Sequence, residues 1–450
     1  MTLVARFSPC VVLAAVCLSC ETQQASAPRP TLALDGSAAS GNRGCQSGPG
    51  ERDARRASTS VVLSCVITVP DNPIVSSDIG WVDPRTERYY IADRSNSGVD
   101  IIDAEHDKYV GRVGGMAGPL ASGGGTATTN GPGPNGVLVT PNRHLWAGDG
   151  NSTARVADVN PDSPNYLSLI GSASTATAAC DNATAHYCGR ADELGYDPED
   201  DVILVANNAP LSVAAGHAPV DPYATFISAA PPYAVLGHIA FAGAGGLEQP
   251  LWDPAIHRFF LTVPGKTGVT PASVAVINPT SRMVEASYPF DCLALTGASG
   301  VGTTGVALGD FQHLLVSACG KPIVLDALTG AVISVVKRVG GGDEVWYNPG
   351  DRRFYVTGVD SAATPPVQSL GVINARTGGW LQNIADVRGK NPAAFAENNH
   401  IFTVVQINAA IAAAPATDNS VCTLFDVRGR GCIAVFVHSP SGEGDDDRQE

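Results

Sequence analysis

The chain has 450 residues, of which 44% are hydrophobic, and this is enough to bury a large core. Its formal net charge of −15 excludes nucleic acid and anionic lipid as expected ligands, because both would be repelled, whereas cations and neutral molecules would not. Glycine (49) and proline (32) are frequent and no long segment has the 3.6-residue period of a helix, so the composition favours an all-β fold with many turns.

The N-terminus, MTLVARFSPCVVLAAVCLSC, places one arginine before an apolar segment of signal-peptide length. We interpret residues 1–20 as an export signal, since the segment is too short to span a membrane as a helix. Two processing routes remain open. LSC ending at Cys20 resembles a bacterial lipobox and would lipidate Cys20, whereas ASA at 25–27 suits ordinary cleavage. We therefore expect a monomer that is periplasmic, held at the cell surface by a lipid anchor, or secreted, with no transmembrane segment.

Eight of the eleven cysteines follow the signal segment, and an even number in an exported chain indicates disulfide bonds. Sequence neighbours form plausible pairs, especially Cys180 with Cys188 and Cys422 with Cys432, although spacing alone does not decide the connectivity. The cysteine and histidine spacings of structural zinc sites and of haem attachment do not occur.

One phrase recurs between a predicted flexible leader (21–57) and a predicted disordered acidic tail (439–450). It consists of a polar residue, a short apolar strand, a turn that often carries Asp-Pro or Asn-Pro, and a second apolar strand. The seven copies are DIGWVDPRTERYYIAD, NGVLVTPNRHLWAGD, DELGYDPEDDVILVAN, EQPLWDPAIHRFFLTV, TGVALGDFQHLLVSA, DEVWYNPGDRRFYVTG and NPAAFAENNHIFTVV.

Seven repeats at roughly the length of one four-stranded blade predict a seven-bladed β-propeller over residues 58–438. A blade cannot cover both of its faces alone, so the ring must close on itself. The strand VVLSCVITVP (61–70) has no opening phrase of its own. We expect it to complete the last blade beside CIAVFV (432–437), as a clasp between the two ends of the chain.

Two known families resemble these repeats. Third strands that end in I-N/D-A-x-T-G, as in VINARTGG, resemble YVTN-type surface propellers. LEQPLWDP and GPNGVLVTP are similar to opening phrases of the gluconolactonase and senescence-marker-protein family. That resemblance implies that Glu248 and Asn135 help to hold a divalent metal, usually calcium, at the mouth of a propeller that opens lactones.

The residues that begin the seven phrases form a polar column at the starts of the innermost strands, which gather at one mouth of the channel. The column consists of Asp78, Asn135, Asp192, Glu248, Thr304, Asp343 and Asn391. Converging oxygen ligands suit a hard cation, so we predict that Glu248, Asn135, Asp192 and Asp343 bind calcium or another divalent cation. Asp192 and Asp343 are each followed by a glutamate, and alternation along a strand predicts that only one residue of each pair faces the channel.

Two functions are consistent with these patterns. The first is an exported propeller that binds a small-molecule ligand or a protein partner at the channel mouth. The second is a metal-dependent hydrolase of lactones or small esters, in which the metal polarises the carbonyl and Asp192 or Asp343 is the general base. The sequence does not decide whether the protein is an enzyme.

Overall fold

The computed structural model describes residues 44–47, 60–118, 133–150, 152–177, 189–208 and 220–438. The described residues form 29 strands in seven antiparallel sheets arranged as the blades of a β-propeller. The predicted fold class is therefore confirmed. Within the described residues, no helix is long and apolar enough to cross a membrane.

The strands follow the chain blade by blade. Two short segments come first: β1 (Gln46–Ser47) and β2 (Val61–Ile67). Blades 1 and 2 comprise β3 (Gly80–Asp83), β4 (Arg88–Asp93), β5 (Gly98–Asp103), β6 (Lys108–Gly114), β7 (Val137–Val139), β8 (His144–Asp149), β9 (Thr153–Asp158) and β10 (Ser168–Ser174). Blades 3 and 4 comprise β11 (Ala191–Asp197), β12 (Val202–Asn207), β13 (Tyr223–Ser228), β14 (Val235–Ala240), β15 (Pro250–Asp253), β16 (Arg258–Val263), β17 (Ser273–Asn278) and β18 (Met283–Pro289).

Blades 5 and 6 comprise β19 (Thr303–Leu308), β20 (His313–Ala318), β21 (Lys321–Asp326), β22 (Val332–Val335), β23 (Val345–Asn348), β24 (Arg353–Asp360), β25 (Val367–Asn374) and β26 (Trp380–Ala385). Blade 7 adds β27 (Gly389–Phe395), β28 (His400–Val405) and β29 (Cys432–His438). The short helices are α1 (Cys292–Thr296), α2 (Ala409–Ala413) and 3-10 turns at Arg94–Asn96, Asp310–Gln312, Pro415–Thr417 and Val421–Phe425.

The ring closes through the N-terminal strand, as the sequence predicts. β2 pairs with β29 in antiparallel register, with Val61 opposite His438 and Ile67 opposite Ile433. Blade 7 therefore has the order β27-β28-β29-β2-β1. Part of the predicted leader belongs to this blade, because β1 pairs with β2 and Cys45 forms a disulfide with Cys65.

Apolar side chains pack between neighbouring blades. The described residues contain seven hydrophobic clusters, and each is shared by two adjacent blades. At the closing interface, Phe402 of blade 7 stacks on Tyr89 of blade 1 at a centroid distance of 5.1 Å. Trp81 and Trp346 meet edge to face at 5.5 Å. These contacts explain why large apolar residues recur at matching strand positions.

The repeated Asp-Pro and Asn-Pro turns have a local cause. The side-chain oxygen of Asp253 accepts a hydrogen bond at 2.9 Å from the backbone N–H of Ala255, and Asn348 does the same for Gly350 at 3.1 Å. Such Asx turns satisfy backbone donors that the short strand connection would otherwise leave unpaired. His257 ends its turn at a φ of 55°, in the left-handed region. The Asp-Pro and Asn-Pro residues therefore form the turn that follows the innermost strand, at the end of that strand opposite its polar first residue.

Disulfides join Cys292 to Cys319 and Cys422 to Cys432, in addition to the bond between Cys45 and Cys65. The prediction for Cys422 and Cys432 is confirmed, and the predicted Cys180–Cys188 pair lies outside the described residues. Cys422–Cys432 fastens the long connection between β28 and β29. That connection lies against the segment before blade 1, where the N–H of Ile74 donates to Arg430 O at 2.7 Å.

Candidate functional site at the channel mouth

The innermost strands of six blades begin with an irregularity that places two successive residues at the channel mouth. In blade 1, the N–H of Asp78 donates to Ala92 O at 2.8 Å, and the N–H of Ala92 donates to Ile79 O at 3.0 Å. Two residues thus oppose one, which is a β-bulge and changes the direction of the side chains. The same pattern occurs at Asn135–Gly136 opposite Gly148 and at Glu248–Gln249 opposite Thr262. The registers of β11, β19 and β27 shift at the equivalent positions.

The bulge at the start of β11 corrects the expectation that only one residue of the Asp192–Glu193 pair faces the channel. Asp192 and Glu193 are both buried, at 1% and 3% exposed. Burial and then the charge of Asp192 raise the pKa of Glu248 on the next blade. Burial, followed by the charges of Glu344 and Glu248, raises the pKa of Glu193. Both members of the pair therefore belong to the site, and strict alternation fails because the bulge inserts a residue.

Asp78 lies at the centre of a buried ionic network. Arg94, which is 1% exposed, donates to its Oδ2, and Lys390 donates to its Oδ1. Burial alone would raise the pKa of Asp78, but Arg94 and Lys390 outweigh it and lower this pKa to about 2. Arg94 also donates to Asn135 Oδ1 at 2.6 Å, while the Asn391 amide donates to Asp78 O at 2.6 Å.

Two further column carboxylates have basic partners. Lys390 Nζ lies 2.7 Å from Asp343 Oδ2. Burial lowers the pKa of Lys390, but the Asp343 and Asp78 carboxylates outweigh this effect and raise it overall. Arg190 donates to Asp192 Oδ2 from Nε at 2.9 Å and from Nη2 at 2.5 Å. The pKa of Asp192 is nevertheless raised, first by burial and then by the charge of Asp78.

Among the described residues, three glutamates at the mouth have no basic side chain as a hydrogen-bond partner. Glu344 is fully buried and accepts from Gln249 Nε2 at 3.1 Å and from the N–H of Gly80 at 3.3 Å. Glu248 accepts from Asn208 Nδ2 at 3.0 Å. Burial and the neighbouring carboxylates raise the pKa values of Glu193, Glu248 and Glu344 well above their usual range.

Among the described residues, hydrogen bonds and ion pairs thus connect the predicted column, and Thr304 is linked to it through backbone atoms. Thr304 Oγ1 donates to Gly342 O at 2.6 Å, beside Asp343. The sequence did not indicate the three basic residues that join the column. Arg190 lies two residues before Asp192 and Lys390 lies directly before Asn391, and this proximity in sequence is a signal that could have found them, whereas Arg94 is in the connection after β4.

The distances between the candidate ligand atoms test whether the predicted residues could bind one metal ion. Among the described residues, the sole group of three His, Cys, Asp or Glu ligand atoms within 4.8 Å of one another is Cys45, Cys65 and Asp107, and those cysteines form a disulfide. Calcium–oxygen distances of about 2.4 Å place ligands on opposite sides of the ion about 4.8 Å apart. Glu248, Asp192 and Asp343 therefore do not fit a single ion as arranged, and Asn135 Oδ1 already accepts from Arg94.

A groove of about 580 Å³ opens over blades 5, 6 and 7 beside the Asp343–Lys390 pair. The side chains of Asp343 and Lys390 are 29% and 27% exposed, so a molecule in the groove can reach them. The remaining lining is mostly glycine and polar side chains, with Val359 as its apolar member and Lys321 as a second cation, and it includes Thr304, Gly340, Gly341, Gly342, Thr357, Ser361 and Gln368. The groove therefore connects solvent with the buried network.

Comparisons with known proteins support the fold and no more. No family model and no curated protein matches the chain. Among solved structures, a chain of the "Crystal Structure of Mitotic Checkpoint Complex" is similar, with a TM-score of 0.53 and 12% identity. The match covers 86% of this chain and 94% of that chain. At this identity the likeness concerns architecture alone, and membership of the YVTN-type or gluconolactonase families stays a prediction from sequence.

Proposed function

We propose that this protein is an exported binding protein that takes up a small polar ligand at the channel mouth. The observation that carries the proposal is the cross-blade network of Asp78, Arg94, Lys390 and Asp343, which continues into the open groove. Charged side chains held by several blades form a rigid polar site. Because the site is already ordered, ligand binding there avoids much of the entropic cost of ordering its side chains. The disulfides and the signal-like start support an oxidising compartment outside the cytoplasm.

The proposal is tested by melting the protein with a panel of amino acids, sugars, sugar acids, dicarboxylates and nucleosides. A ligand that binds only the native state raises the free energy of unfolding by about 2.7 kcal/mol at a hundredfold excess over its Kd. The melting temperature therefore rises. Asp343→Asn should weaken the hit at least tenfold in titration calorimetry, whereas Asp162→Asn, which changes an 89% exposed carboxylate, should not. If no compound in the panel binds, or if binding is unchanged in Asp343→Asn, the proposal of a binding site at the channel mouth is contradicted.

The alternative function is calcium-dependent hydrolysis of a lactone or small ester. One observation favours it: Glu248 is partly exposed, so that a cation entering the channel mouth could reach its carboxylate. Against it, the predicted bases Asp192 and Asp343 are engaged by Arg190 and Lys390. On this hypothesis the mouth side chains rearrange around the ion.

A calcium titration distinguishes the binding function from the lactonase function. If the lactonase hypothesis is correct, calcium raises the melting temperature of the wild type and this rise is lost in Glu248→Gln, with turnover of a lactone panel following the same order. Glu285→Gln, on the outer strand β18, is the matched control. A wild-type melting temperature that does not respond to calcium removes the metal and the lactonase hypothesis together, leaving the binding protein.

A further inference from the structure

A cavity of about 160 Å³ lies between blades 1 and 2. Its walls come from the β3–β4 turn, the β7–β8 turn and the β9–β10 connection, which lie on the face opposite the channel mouth because antiparallel strands alternate in direction. Three arginines line it together with a hydroxyl and two aromatic rings: Arg85, Arg88, Arg143, Thr86, Tyr90 and Tyr166. Among the described residues that line the cavity none is acidic, so its charged groups are all positive, in a chain with a formal net charge of −15.

The turn that carries Arg85 does not require an arginine. Four other turns have a proline at the equivalent point, and it is followed there by Asn142, Glu199, Ala255 and Gly350. The turn itself is held by Asp83, whose carboxylate accepts from the N–H of Arg85 at 3.4 Å and from Thr86 Oγ1 at 2.9 Å. The Arg85 guanidinium donates from Nε to Asp83 and reaches across to blade 2, where Nη2 donates to Val139 O at 2.9 Å. These contacts hold Arg85 at the interface between the blades, in the wall of the cavity.

The other two guanidinium groups are also anchored through only some of their nitrogens. Arg88 Nη1 lies 3.0 Å from Asp103 Oδ2, and Arg143 Nη1 donates to Asn160 Oδ1 at 2.6 Å. Nε and Nη2 of both arginines, and Nη1 of Arg85, have no hydrogen-bond partner among the described residues. A planar guanidinium that is held at one nitrogen keeps its remaining N–H donors in a fixed plane. Five donor nitrogens around one cavity are therefore available to an acceptor.

The neighbouring carboxylates occupy only part of this positive charge. Asp83 is buried, and its oxygens are shared with the donors of its own turn. Asp103 contacts Arg88 through Nη1 alone. Asp162 is 89% exposed and lies 3.8 Å from Arg143, a geometry that contributes little in water. The remaining donors are best satisfied by an anion that enters the cavity.

We propose that this cavity binds a tetrahedral oxyanion with two negative charges, a phosphate or sulfate group. Guanidinium forks match the oxygens of such a group in pairs. At roughly 30 Å³ for each water-sized unit, the cavity has room for about five heavy atoms, which is the size of one phosphate or sulfate. The site lies beyond the channel mouth and has no lining residue in common with the groove there.

The net charge favours a small anion over a polyanion at this site. An extended polyanion would meet the acidic surface along its length, whereas a small ion meets only the three arginines. Charge repulsion is screened over about 8 Å at physiological ionic strength, so distant acidic groups oppose a small ion only weakly. The free ion and the end group of a small ester both satisfy these conditions.

Isothermal titration calorimetry on the full-length protein tests the assignment with phosphate, sulfate, methyl phosphate and acetate, at neutral pH and constant ionic strength. We expect saturable binding of a tetrahedral anion that is at least tenfold tighter than binding of acetate, which is planar and singly charged. Tighter binding of methyl phosphate than of phosphate would identify the end of an ester, and the reverse order the free ion. If no tetrahedral anion binds, or if acetate binds equally well, the proposal is wrong.

Variants locate the anion in the cavity. Arg143→Gln and Arg88→Gln should each weaken binding of the best tetrahedral anion at least tenfold. Arg143 is 43% exposed, so its replacement should leave the melting temperature unchanged. Arg282→Gln is the matched control, since this exposed arginine also donates to a backbone carbonyl of the neighbouring blade, Leu236 O at 2.5 Å, but lies outside the cavity. Equal anion affinities of wild type, Arg88→Gln and Arg143→Gln would overturn the assignment, whatever the ligand panel shows at the channel mouth.

Discussion

Replacing Asp78 by asparagine should lower the free energy of unfolding by about 3–5 kcal/mol, because the change leaves a buried guanidinium without its counter-charge. Asp78 is 4% exposed and Arg94 is 1% exposed, so water cannot take over the role of the carboxylate. Lys390 also loses one of its two acidic partners. Denaturation by guanidinium chloride, followed by tryptophan fluorescence, measures the loss directly.

Asp162→Asn is the matched control, since this carboxylate is 89% exposed and lies 3.8 Å from Arg143. An exposed pair of this kind should give no measurable change. The double variant Asp78→Asn, Arg94→Met should be less destabilised than the sum of the two single variants. Each single variant leaves the charge of the other residue buried without its partner, whereas the double variant removes both charges. Equal effects of Asp78→Asn and Asp162→Asn would contradict the buried network.

The difference in stability between wild type and Asp78→Asn should depend on pH in the acid range. The pKa of Asp78 is depressed in the folded state, to about 2, against about 4 in an unfolded chain. A depressed carboxyl pKa contributes stability that is present above pH 4 and is lost as the pH falls toward 2. The stability gap between wild type and Asp78→Asn should therefore narrow by on the order of 2 kcal/mol between pH 5 and pH 2. A gap independent of pH would show that Asp78 is not the titrating group.

Deleting the chain through residue 70 should abolish stable folding. β2 supplies four buried side chains, Val61, Cys65, Val66 and Ile67, which belong to the two clusters on either side of blade 7. At about 1.5–3 kcal/mol for each apolar side chain, their loss is comparable with the whole stability of a typical domain. The deletion also exposes the hydrogen-bonding edge of β29, which favours aggregation. Melting temperature and size-exclusion chromatography report both effects.

The control for the clasp is a deletion that ends at residue 43. It keeps β1, the Cys45–Cys65 disulfide and β2, so blade 7 should remain complete and the melting temperature should stay within a few degrees of wild type. Similar melting temperatures for the two truncations would refute the role of β2 as the strand that closes the ring.

The sequence by itself determined the architecture, because its signals are local and repeated. Each Asp-Pro or Asn-Pro phrase specifies an Asx turn within a few residues, as Asp253 and Asn348 show. Repetition then implies stacked blades, and an orphan strand at residues 61–70 implies a closed ring. The polar column could also be read, since it occupies the same position in every copy of the phrase.

Only the tertiary structure decided what surrounds that column. Arg94 reaches Asp78 and Asn135 from a connection between strands, and the chain pattern contains no sign of this contact. The bulges that turn both Asp192 and Glu193 toward the mouth depend on pairing with the second strand, so alternation along one strand could not reveal them. Charge pairing across blades is a property of the closed ring: residues far apart in sequence meet at its axis, and their burial and mutual charges shift the pKa values of the carboxylates.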